Sequence, residues 1–353
     1  MDNQKIDQNF AEKRAEAEGA IEYFTLPDPR FALYGVFYDT THAKFLRLPY
    51  DVAEATSEGV LFLNGNTAGG RLRFSTDSNY LSLDIVYPCL TDMPHMPLTG
   101  SSGFVLLDET DKTVFVHAFR PEHTDQKGFS SSVSLGSKGI RDYILYFPLY
   151  NDVSSLTIGL EKGCRIGRGK AYRDIPPVLY YGSSITQGGC ASRPDNSYQA
   201  LISKWTNTDY INLGFSGNAK AEKAIADYLP TVDCSVFVCD YDHNAPTAEY
   251  LADTHLPLYK AYRAVRKDTP VLLIGRPSPE RDAQGALRMK IIRETYEYAL
   301  RNGDKNIYLL DGKTLFGQKD RENCTVDGCH PNDVGFRKMA YAILKKLKQT
   351  NLF

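Results

Sequence analysis

The segment Val178–Gly189, VLYYGSSITQGG, contains the strand end around which the second half of the chain is organised. Its apolar and aromatic residues at 178–181 are typical of a parallel strand buried on both faces. Gly182 then permits a sharp turn, and Ser184 follows where the strand ends, so its hydroxyl is predicted to face a crevice. On this segment alone, an ordinary serine-rich loop between a strand and a helix is the simpler interpretation.

The composition limits the kinds of protein that the chain can form. A length of 353 residues favours two domains, and 42% hydrophobic with 24% charged residues is typical of globular proteins. A net charge of −2 gives no reason to expect nucleic acid or an anionic membrane as a partner. No apolar stretch approaches the roughly 20 residues that a membrane span needs.

The N-terminus and the cysteines favour a reducing compartment. The first 20 residues are charged and lack the continuous apolar region of a signal peptide. The seven cysteines are odd in number and form no paired C-x-x-C pattern. We therefore expect a cytoplasmic protein, unless an export signal has been removed upstream.

The first half of the chain has the pattern of an antiparallel β protein. Residues 10–22 are charged and are predicted to form a short leading helix. From Phe31 to about Leu160, short runs of period two alternate with clusters of Gly, Asn, Asp and Ser, as in a jelly-roll-like β-sandwich. The predicted domains are therefore a sandwich with its leading helix at 1–172 and a second domain at 173–353.

The connection between the two domains predicts how they are arranged. It is short and contains two prolines, so the sandwich is expected to pack tightly on the second domain. Its turns near Tyr80 or Met93–Met96 are then candidates for one wall of a pocket. His95 and His117 are interpreted as structural residues.

Beyond Pro177 the pattern changes to strands that alternate with helices. Strands are predicted at 178–182, 208–213, 235–240, 270–275 and 306–311, with amphipathic helices between them. This alternation favours a parallel, doubly wound α/β sheet, whose site lies outside the carboxyl ends of its strands.

Four polar blocks fall at or near those carboxyl ends. They are Gly182–Thr186, Asn212–Asn218, Asp240–Asn244 and Asp327–Pro331. Three of them directly follow the first three strands, and the fourth lies after the fifth strand, just before the last helix. The fold thus predicts that all four meet at one edge of the sheet.

The side chains in these blocks match the needs of acyl transfer. Ser184 can act as nucleophile and His330 as its base, while Asp327 can hold the imidazole in the useful tautomer. The backbone N–H groups of Ser184 and Gly217 and the amide of Asn244 can form an oxyanion hole. The alternatives are a turn serine, a helix N-cap in DGCHPND, where Pro331 and Asn332 suit the start of the next helix, a turn glycine and a loop asparagine.

At these blocks the sequence resembles the SGNH (GDSL-like) esterases and acylhydrolases. GSSIT, NLGFSGN, the Asn of DHNAP and DGCHPND are similar to the family's blocks I, II, III and V, over roughly residues 176–350. The resemblance implies a flavodoxin-like, five-stranded fold with catalytic Ser184, Asp327 and His330. It implies an oxyanion hole formed by Ser184, Gly217 and Asn244.

The N-terminal region resembles the β-sandwich that precedes the hydrolase domain in a two-domain subgroup. Three features depart from the family patterns. Ser183 replaces the usual Asp of GDS, block III reads DYDHNAP, and the subgroup's Gly-x-Asp-Leu-Tyr motif appears as GFVLL at 103–107.

Two further residues are weaker candidates for substrate contacts. Arg193 can bind a substrate hydroxyl or carboxylate, although an ordinary solvated arginine is an equal alternative, and His243 is either structural or substrate-facing. Asp240, Asp242 and His243 lack the spacing of a zinc site, so no metal is predicted.

The sequence therefore predicts a serine esterase that cleaves a small acyl ester, most plausibly acetyl on a carbohydrate, without a cofactor. Its partner would be a small-molecule or oligosaccharide ester. An acyltransferase using the same residues is one alternative, and a catalytically weakened carbohydrate-binding protein is another. The acyl length, the alcohol part and the oligomeric state are left open.

Overall fold

The computed structural model describes residues 14–136, 139–350 and 352, which form an antiparallel sandwich followed by an α/β unit. Among its described residues, the sandwich region contains twelve strands, several of them very short, and three short helices. The strands are β1 (Ile21–Thr25), β2 (Ala32–Tyr34), β3 (Phe37–Asp39), β4 (Lys44–Leu46), β5 (Arg71–Thr76), β6 (Tyr80–Val86), β7 (Phe104–Asp108), β8 (Val114–Phe119), β9 (Gly128–Ser134), β10 (Arg141–Tyr146), β11 (Ser155–Glu161) and β12 (Ile166–Gly167). The helices are α1 (Tyr50–Thr56), α2 (Glu58–Asn64) and α3 (Leu98–Ser101).

The α/β unit supplies a five-stranded parallel sheet and its flanking helices. Its strands are β13 (Val178–Gly182), β14 (Tyr210–Gly214), β15 (Val236–Asp240), β16 (Val271–Ile274) and β17 (Ile307–Leu310). Its helices are α4 (Ser184–Gln187), α5 (Tyr198–Thr206), α6 (Lys223–Tyr228), α7 (Ala248–Val265), α8 (Gly285–Arg301) and α9 (Asp333–Leu347). The strand order β14-β13-β15-β16-β17 is the flavodoxin-like order, so the predicted doubly wound sheet is confirmed.

The first strand is buried on both faces, as its uninterrupted apolar run predicts. Val178 and Tyr180 face one core with α5 and α9, while Leu179 and Tyr181 face the other with α7 and α8. A strand in this position cannot carry polar residues until it ends, which is why the polar block begins at Gly182.

The sandwich consists of two sheets that pack face to face. One has the order β1-β11-β6-β9, and the other has the order β12-β5-β10-β7-β8, with β2 on β5. Alternate residues from both sheets, such as Phe74, Leu83, Leu106 and Ile158, fill the core between them. The antiparallel sandwich predicted from the period-two runs is therefore present.

The second face of the larger sandwich sheet is also buried, because the α/β unit covers it. Val105, Leu107, Ile144 and Tyr146 share one apolar cluster with the Val178 side of the parallel sheet. Val105 and Leu107 stand where the subgroup's motif has Asp and Tyr, so these two positions are part of a dry core in this chain.

Two buried arginines on β5 join the units through polar contacts. Arg71 donates to Asp209 and to the Tyr172 hydroxyl, and its guanidinium lies 3.7 Å from the centroid of the Tyr210 ring. Arg73 pairs with Glu109 at 2.9 Å and lies 3.6 Å from the Tyr172 ring centroid. The connecting segment is thus held between the units, in keeping with the tight packing predicted from its composition.

One sequence prediction is wrong in the described part of the chain. The predicted leading helix at 10–22 is absent from residues 14–22, where the chain is irregular before β1 begins at Ile21. Ala15 instead hydrogen-bonds to Ser132 of β9, so sheet pairing overrides the local helix propensity. The earlier part of that prediction lies outside the described residues.

The sequence predictions also concerned the cysteines, membrane-spanning segments and the domain boundary. All seven cysteines are free thiols. No helix among the described residues has the length and apolar content needed to cross a membrane. The domain boundary at 172/173 falls in the segment between β12 and β13 and stays a prediction.

Candidate active site

The register of the parallel sheet brings three of the polar blocks side by side. Gly182 is paired with Gly214 on β14 and with Asp240 on β15. The residues that follow each of these positions therefore leave the sheet at the same edge. The crevice lies where the chain order of the strands reverses, as is usual for sites in such folds.

Ser184 is the first residue of α4, a single helical turn that packs closely on the sheet. A Cβ on Gly182 would lie 2.2 Å from Thr186 Oγ1, and one on Gly214 would lie 2.2 Å from the Gln187 backbone nitrogen. Only glycine permits this approach, so these two residues set the position of the turn. The Ser183 side chain caps the turn by accepting a hydrogen bond from Ile185 N at 3.2 Å.

The fourth block meets this turn through a chain of hydrogen bonds. Ser184 Oγ lies 2.9 Å from His330 Nε2, and His330 Nδ1 lies 2.7 Å from Asp327 Oδ2. Ser184 is 8% exposed, and a quarter of the His330 side chain is accessible, so a substrate can reach both groups.

Asp327 is held by its own loop in the ionised form. Its Oδ1 accepts hydrogen bonds from the backbone N–H groups of Cys329, at 2.9 Å, and of His330, at 2.7 Å. Partial burial raises the pKa of the carboxyl, but the hydrogen bonds from the His330 ring and the two N–H groups outweigh it and lower the pKa to about 2. Asn332 caps helix α9 by accepting a hydrogen bond from Gly335 N at 3.1 Å, so the helix start predicted in this block lies directly beside the Asp327–His330 pair.

Two backbone N–H groups, in the first and second blocks, are the predicted oxyanion donors. Ser184 N–H is at the start of α4, and Gly217 adopts φ +69 with open space around its Cα. Within the described residues, neither N–H donates to an acceptor. Asn244 Nδ2 donates one hydrogen bond to Phe215 O at 2.8 Å, which ties the third block to the second and leaves its other N–H hydrogen available.

Gln187 links this part of the site to the sandwich. Its Oε1 accepts from Ser216 N at 2.9 Å, while its Nε2 donates to Asn66 Oδ1 at 3.0 Å and to Leu149 O at 3.1 Å. Loops of both units thus fix the position of the block that carries Gly217.

The two weaker candidates have partners other than Ser184 among the described residues. Arg193 forms a two-pronged pair with Asp195 at 3.1 and 3.2 Å, and its guanidinium lies 4.6 Å from the Phe115 ring centroid. His243 lies behind the fourth block, with its Nδ1 3.8 Å from Cys329 Sγ. Burial, together with the positive charges of Arg276 and His330, lowers the pKa of His243 to about 3, so its ring is neutral at pH 7.

Two buried carboxyl groups support the floor of the crevice. Asp240 accepts a hydrogen bond from Thr186 Oγ1 at 3.2 Å, and burial together with nearby Asp242 raises its pKa well above the usual range. Burial likewise raises the pKa of Asp242 to about 6, against the opposing effect of its bond from Arg276 N. In the part of the chain that the structure describes, no group of His, Cys, Asp or Glu side chains could hold a metal ion.

Two residues of the sandwich region lie at the site: His95, in the Met93–Met96 turn predicted as a candidate pocket wall but itself interpreted as structural, and Arg47, for which no role was predicted. The His95 ring centroid lies 5.8 Å from that of His330. Arg47 is buried and donates to Asn212 O at 3.1 Å and to Gly214 O at 2.6 Å, at the start of the second block. No local motif marks either residue, since each reaches the site only through the packing of the two units.

A flavodoxin-like sheet with hydrogen-bonded Ser, His and Asp at its carboxyl edge defines an enzyme of the esterase and hydrolase class. Residues 176–348 match the GDSL-like lipase/acylhydrolase family, and residues 21–166 match the family described as the N-terminus of SGNH-hydrolase-type esterases. The chain belongs to the GDSL-like (SGNH) hydrolases, and it has their two-domain layout.

Solved structures with the same layout extend over nearly the whole chain. A protein from Bacteroides ovatus described as a GDSL-like lipase is 28% identical, with a TM-score of 0.82 over 93% of this chain and 98% of its own. A salicylyl-acyltransferase from a tetracycline biosynthetic pathway is 17% identical, with a TM-score of 0.79 over 96% of this chain and 99% of its own.

A more distant structure shares the fold at lower similarity. A family two carbohydrate esterase from Cellvibrio japonicus is 12% identical, with a TM-score of 0.62 over 94% of this chain and 98% of its own. Its likeness and that of the acyltransferase concern the fold alone. No curated protein matches the chain significantly.

Proposed function

We propose that the protein is a serine esterase that hydrolyses a small acyl ester, acetyl in the first instance, on a carbohydrate. Ser184 is the nucleophile, His330 the general base and Asp327 the group that orients the base. The observation that carries the proposal is the hydrogen-bonded series Ser184 Oγ, His330 Nε2, His330 Nδ1 and Asp327 Oδ2, with distances of 2.9 and 2.7 Å.

In the first half of the reaction, Ser184 Oγ attacks the ester carbonyl carbon as its proton passes to His330 Nε2. The tetrahedral intermediate then collapses, the bond to the alcohol oxygen breaks, and His330 returns the proton to that oxygen. The products are a free alcohol and an acyl group on Ser184. Asp327 stays ionised and stabilises the protonated imidazole.

The second half regenerates the enzyme. A water molecule attacks the acyl carbon while His330 takes its proton, and the carboxylic acid leaves as Ser184 Oγ regains a proton. Both tetrahedral intermediates carry negative charge on the former carbonyl oxygen. Ser184 N–H, Gly217 N–H and the Asn244 amide are the proposed donors to it, and such donors are typically worth 10²–10³ in kcat each.

The carbohydrate part of the proposal is supported by fold alone. Carbohydrate esterases share the two-unit architecture, and one of them, from Clostridium thermocellum, was solved in complex with cellohexaose. Acyl transfer to another alcohol would use the same acyl-enzyme, and only the acceptor would differ.

The nucleophile is tested by mass spectrometry after exposure to a fluorophosphonate. We expect one adduct, on the peptide that contains Ser184, and none in Ser184→Ala. An unlabelled wild-type protein would contradict the proposed chemistry and favour a binding protein.

The reaction is tested with p-nitrophenyl acetate, butyrate and octanoate, with and without candidate acceptor alcohols. We expect the acetate to have the highest kcat/KM and acetic acid to remain the main product when alcohols are added. Acyl-alcohol products in place of acetic acid would identify an acyltransferase.

A further inference from the structure

The loop between β6 and α3 carries a sandwich histidine to the catalytic crevice. The ring centroid of His95 lies 5.8 Å from that of His330, and the two ring planes are inclined by 53°. The His95 side chain is exposed, and within the described residues its ring nitrogens take part in no hydrogen bond with the protein. A neutral imidazole has one donor and one acceptor, so both are available to a ligand.

The loop around His95 is fixed at several points. Met96 is buried in the apolar cluster that also contains Cys190 and Ala191, just beyond α4. Its backbone N–H donates to Met93 O at 3.0 Å and closes a tight turn around His95. At the start of the loop, Thr91 N donates to Asn151 Oδ1 at 2.6 Å.

A second contact fixes the segment just beyond this loop to the α/β unit. Thr99 Oγ1 donates to Ser192 O at 2.7 Å. His95 is therefore presented to the crevice from a supported backbone, as a precise binding contact requires.

The position of His95 relative to His330 indicates which part of a substrate it meets. In the proposed reaction, His330 returns a proton to the departing alcohol oxygen, so the alcohol part lies beside the His330 ring. The carbonyl oxygen, in contrast, would meet the proposed oxyanion donors of Ser184, Gly217 and Asn244. His95, as a neighbour of the His330 ring, is thus placed on the alcohol side of the ester.

We propose that His95 is a specificity-determining residue that hydrogen-bonds a hydroxyl next to the ester oxygen of a polyhydroxylated alcohol. The proposal rests on the proposed esterase function and adds the contact by which the sandwich selects the alcohol. Removal of one hydrogen bond between neutral groups typically costs a few-fold to tenfold in binding.

The experiment compares two acetate esters of a pyranoside that differ only in whether the carbon next to the ester carries a hydroxyl or is deoxy. Both give the same acyl-enzyme, so their difference reports the alcohol side alone. We expect wild-type kcat/KM to favour the hydroxylated ester, and His95→Ala to reduce that preference by about 3- to 10-fold. His95→Gln, which keeps a donor and an acceptor, is expected to retain most of it, while His95→Phe should behave like His95→Ala.

Two controls separate this role from others. Turnover of p-nitrophenyl acetate, whose alcohol has no neighbouring hydroxyl, is expected to stay within about twofold in all three variants. His42→Ala is the matched variant, because His42 is a sandwich histidine whose ring stacks on Tyr50. We expect it to leave kcat/KM unchanged for both pyranoside esters and for p-nitrophenyl acetate.

Two results would overturn the proposal. One is an unchanged preference in His95→Ala, and the other is an equal loss on both pyranosides and on p-nitrophenyl acetate, which would mean that His95 acts through His330. Failure of the proposed function itself would look different, because the wild-type enzyme would then turn over none of the three esters.

Discussion

Ser183 and Ser184 are adjacent, yet they have different hydrogen-bond partners. Ser183 accepts a backbone N–H and caps α4, whereas the Ser184 hydroxyl meets His330. We expect Ser184→Ala to fold and to lose about 10⁴–10⁶ in kcat, because the nucleophile is gone. Ser183→Ala should instead lower stability by about 1 kcal/mol and keep catalysis, since only a cap is removed.

These two variants are compared by ester kinetics and by urea unfolding. The reverse outcome, with Ser183→Ala inactive and Ser184→Ala active, would show that Ser183 is the nucleophile.

The pH dependence follows from the charges of His330 and Asp327. A protonated His330 cannot accept the Ser184 proton, so kcat/KM is expected to rise with pH. Because the pKa of Asp327 is about 2, its carboxylate stays ionised from pH 4 to 8 and adds no second ionisation. A plot of the logarithm of kcat/KM against pH should therefore have a limiting slope of one on its acid side. A slope of two, or a flat profile, would contradict this arrangement.

Substitution of the orienting carboxylate gives a separate test. Asp327→Asn replaces an acceptor-only group with an amide that can hold the wrong tautomer of His330, and a loss of up to about 10⁴ in kcat is expected. Wild-type kcat in this variant would show that another group orients the base.

The grouping of Ser184, Asp327 and His330 at one edge could be predicted from the sequence, because parallel strands deliver their carboxyl ends to the same side. The Met93–Met96 turn was one of two candidates for a pocket wall, but the closeness of His95 to His330 could not be predicted. The two residues are separated by 235 positions in the chain, and their contact depends on the docking of two units. Local patterns carry no information on that docking.

At the scale of elements, the second block depends on a side chain from another unit. Arg47 donates to the backbone oxygens of Leu63, Asn212 and Gly214, and its guanidinium lies 4.7 Å from the Phe215 ring centroid. This arginine therefore supports the second block, which carries Gly217, and Phe215 O in turn accepts the amide of Asn244 in the third block.

Arg47→Lys is expected to lower the free energy of unfolding by about 2–4 kcal/mol, because an ammonium cannot reach all three oxygens and buried acceptors are left unpaired. We also expect kcat to fall more than KM changes, because the donors act on the transition state. Arg301→Lys, at an exposed arginine that lies 3.7 Å from Glu297, is the matched control and should stay within about 0.5 kcal/mol. Equal stability of the two variants in urea unfolding would contradict the supporting role of Arg47.

The error at residues 14–22 also belongs to this scale. The segment is rich in Ala and Glu, which favour a helix in isolation. In the structure its backbone bonds to β9, and β1 pairs with β11 from Ile21 onward. Pairing with a distant strand cannot be recognised from the helix propensity of the local sequence. The five strands at 178–310 were predictable because strands buried on both faces must be composed of apolar residues.

For the whole molecule, the shared core predicts cooperative unfolding. The outer face of the larger sandwich sheet is covered only because the α/β unit packs on it, and the buried Arg71 pairs with Asp209 across the same interface. We expect thermal unfolding followed by far-ultraviolet circular dichroism and by the fluorescence of Trp205, the single tryptophan, to give coincident transitions. Two separated transitions would show that the units are thermodynamically independent.

The same interface constrains how chains of this layout can diverge. The side chains of Val105 and Leu107 must fit the side chains of the α/β unit on which they pack. Core substitutions in the sandwich and in the α/β unit must therefore occur together. Recombination in the segment between Gly167 and Val178 would leave every strand intact. The apolar faces of the sandwich and of the α/β unit would then come from different proteins, however, and their side chains would not be fitted to each other. Each mismatch of this kind typically costs about 1–3 kcal/mol. A hybrid of this sandwich with the α/β half of the 28% identical Bacteroides ovatus protein would therefore need compensating substitutions at the seam before it folds.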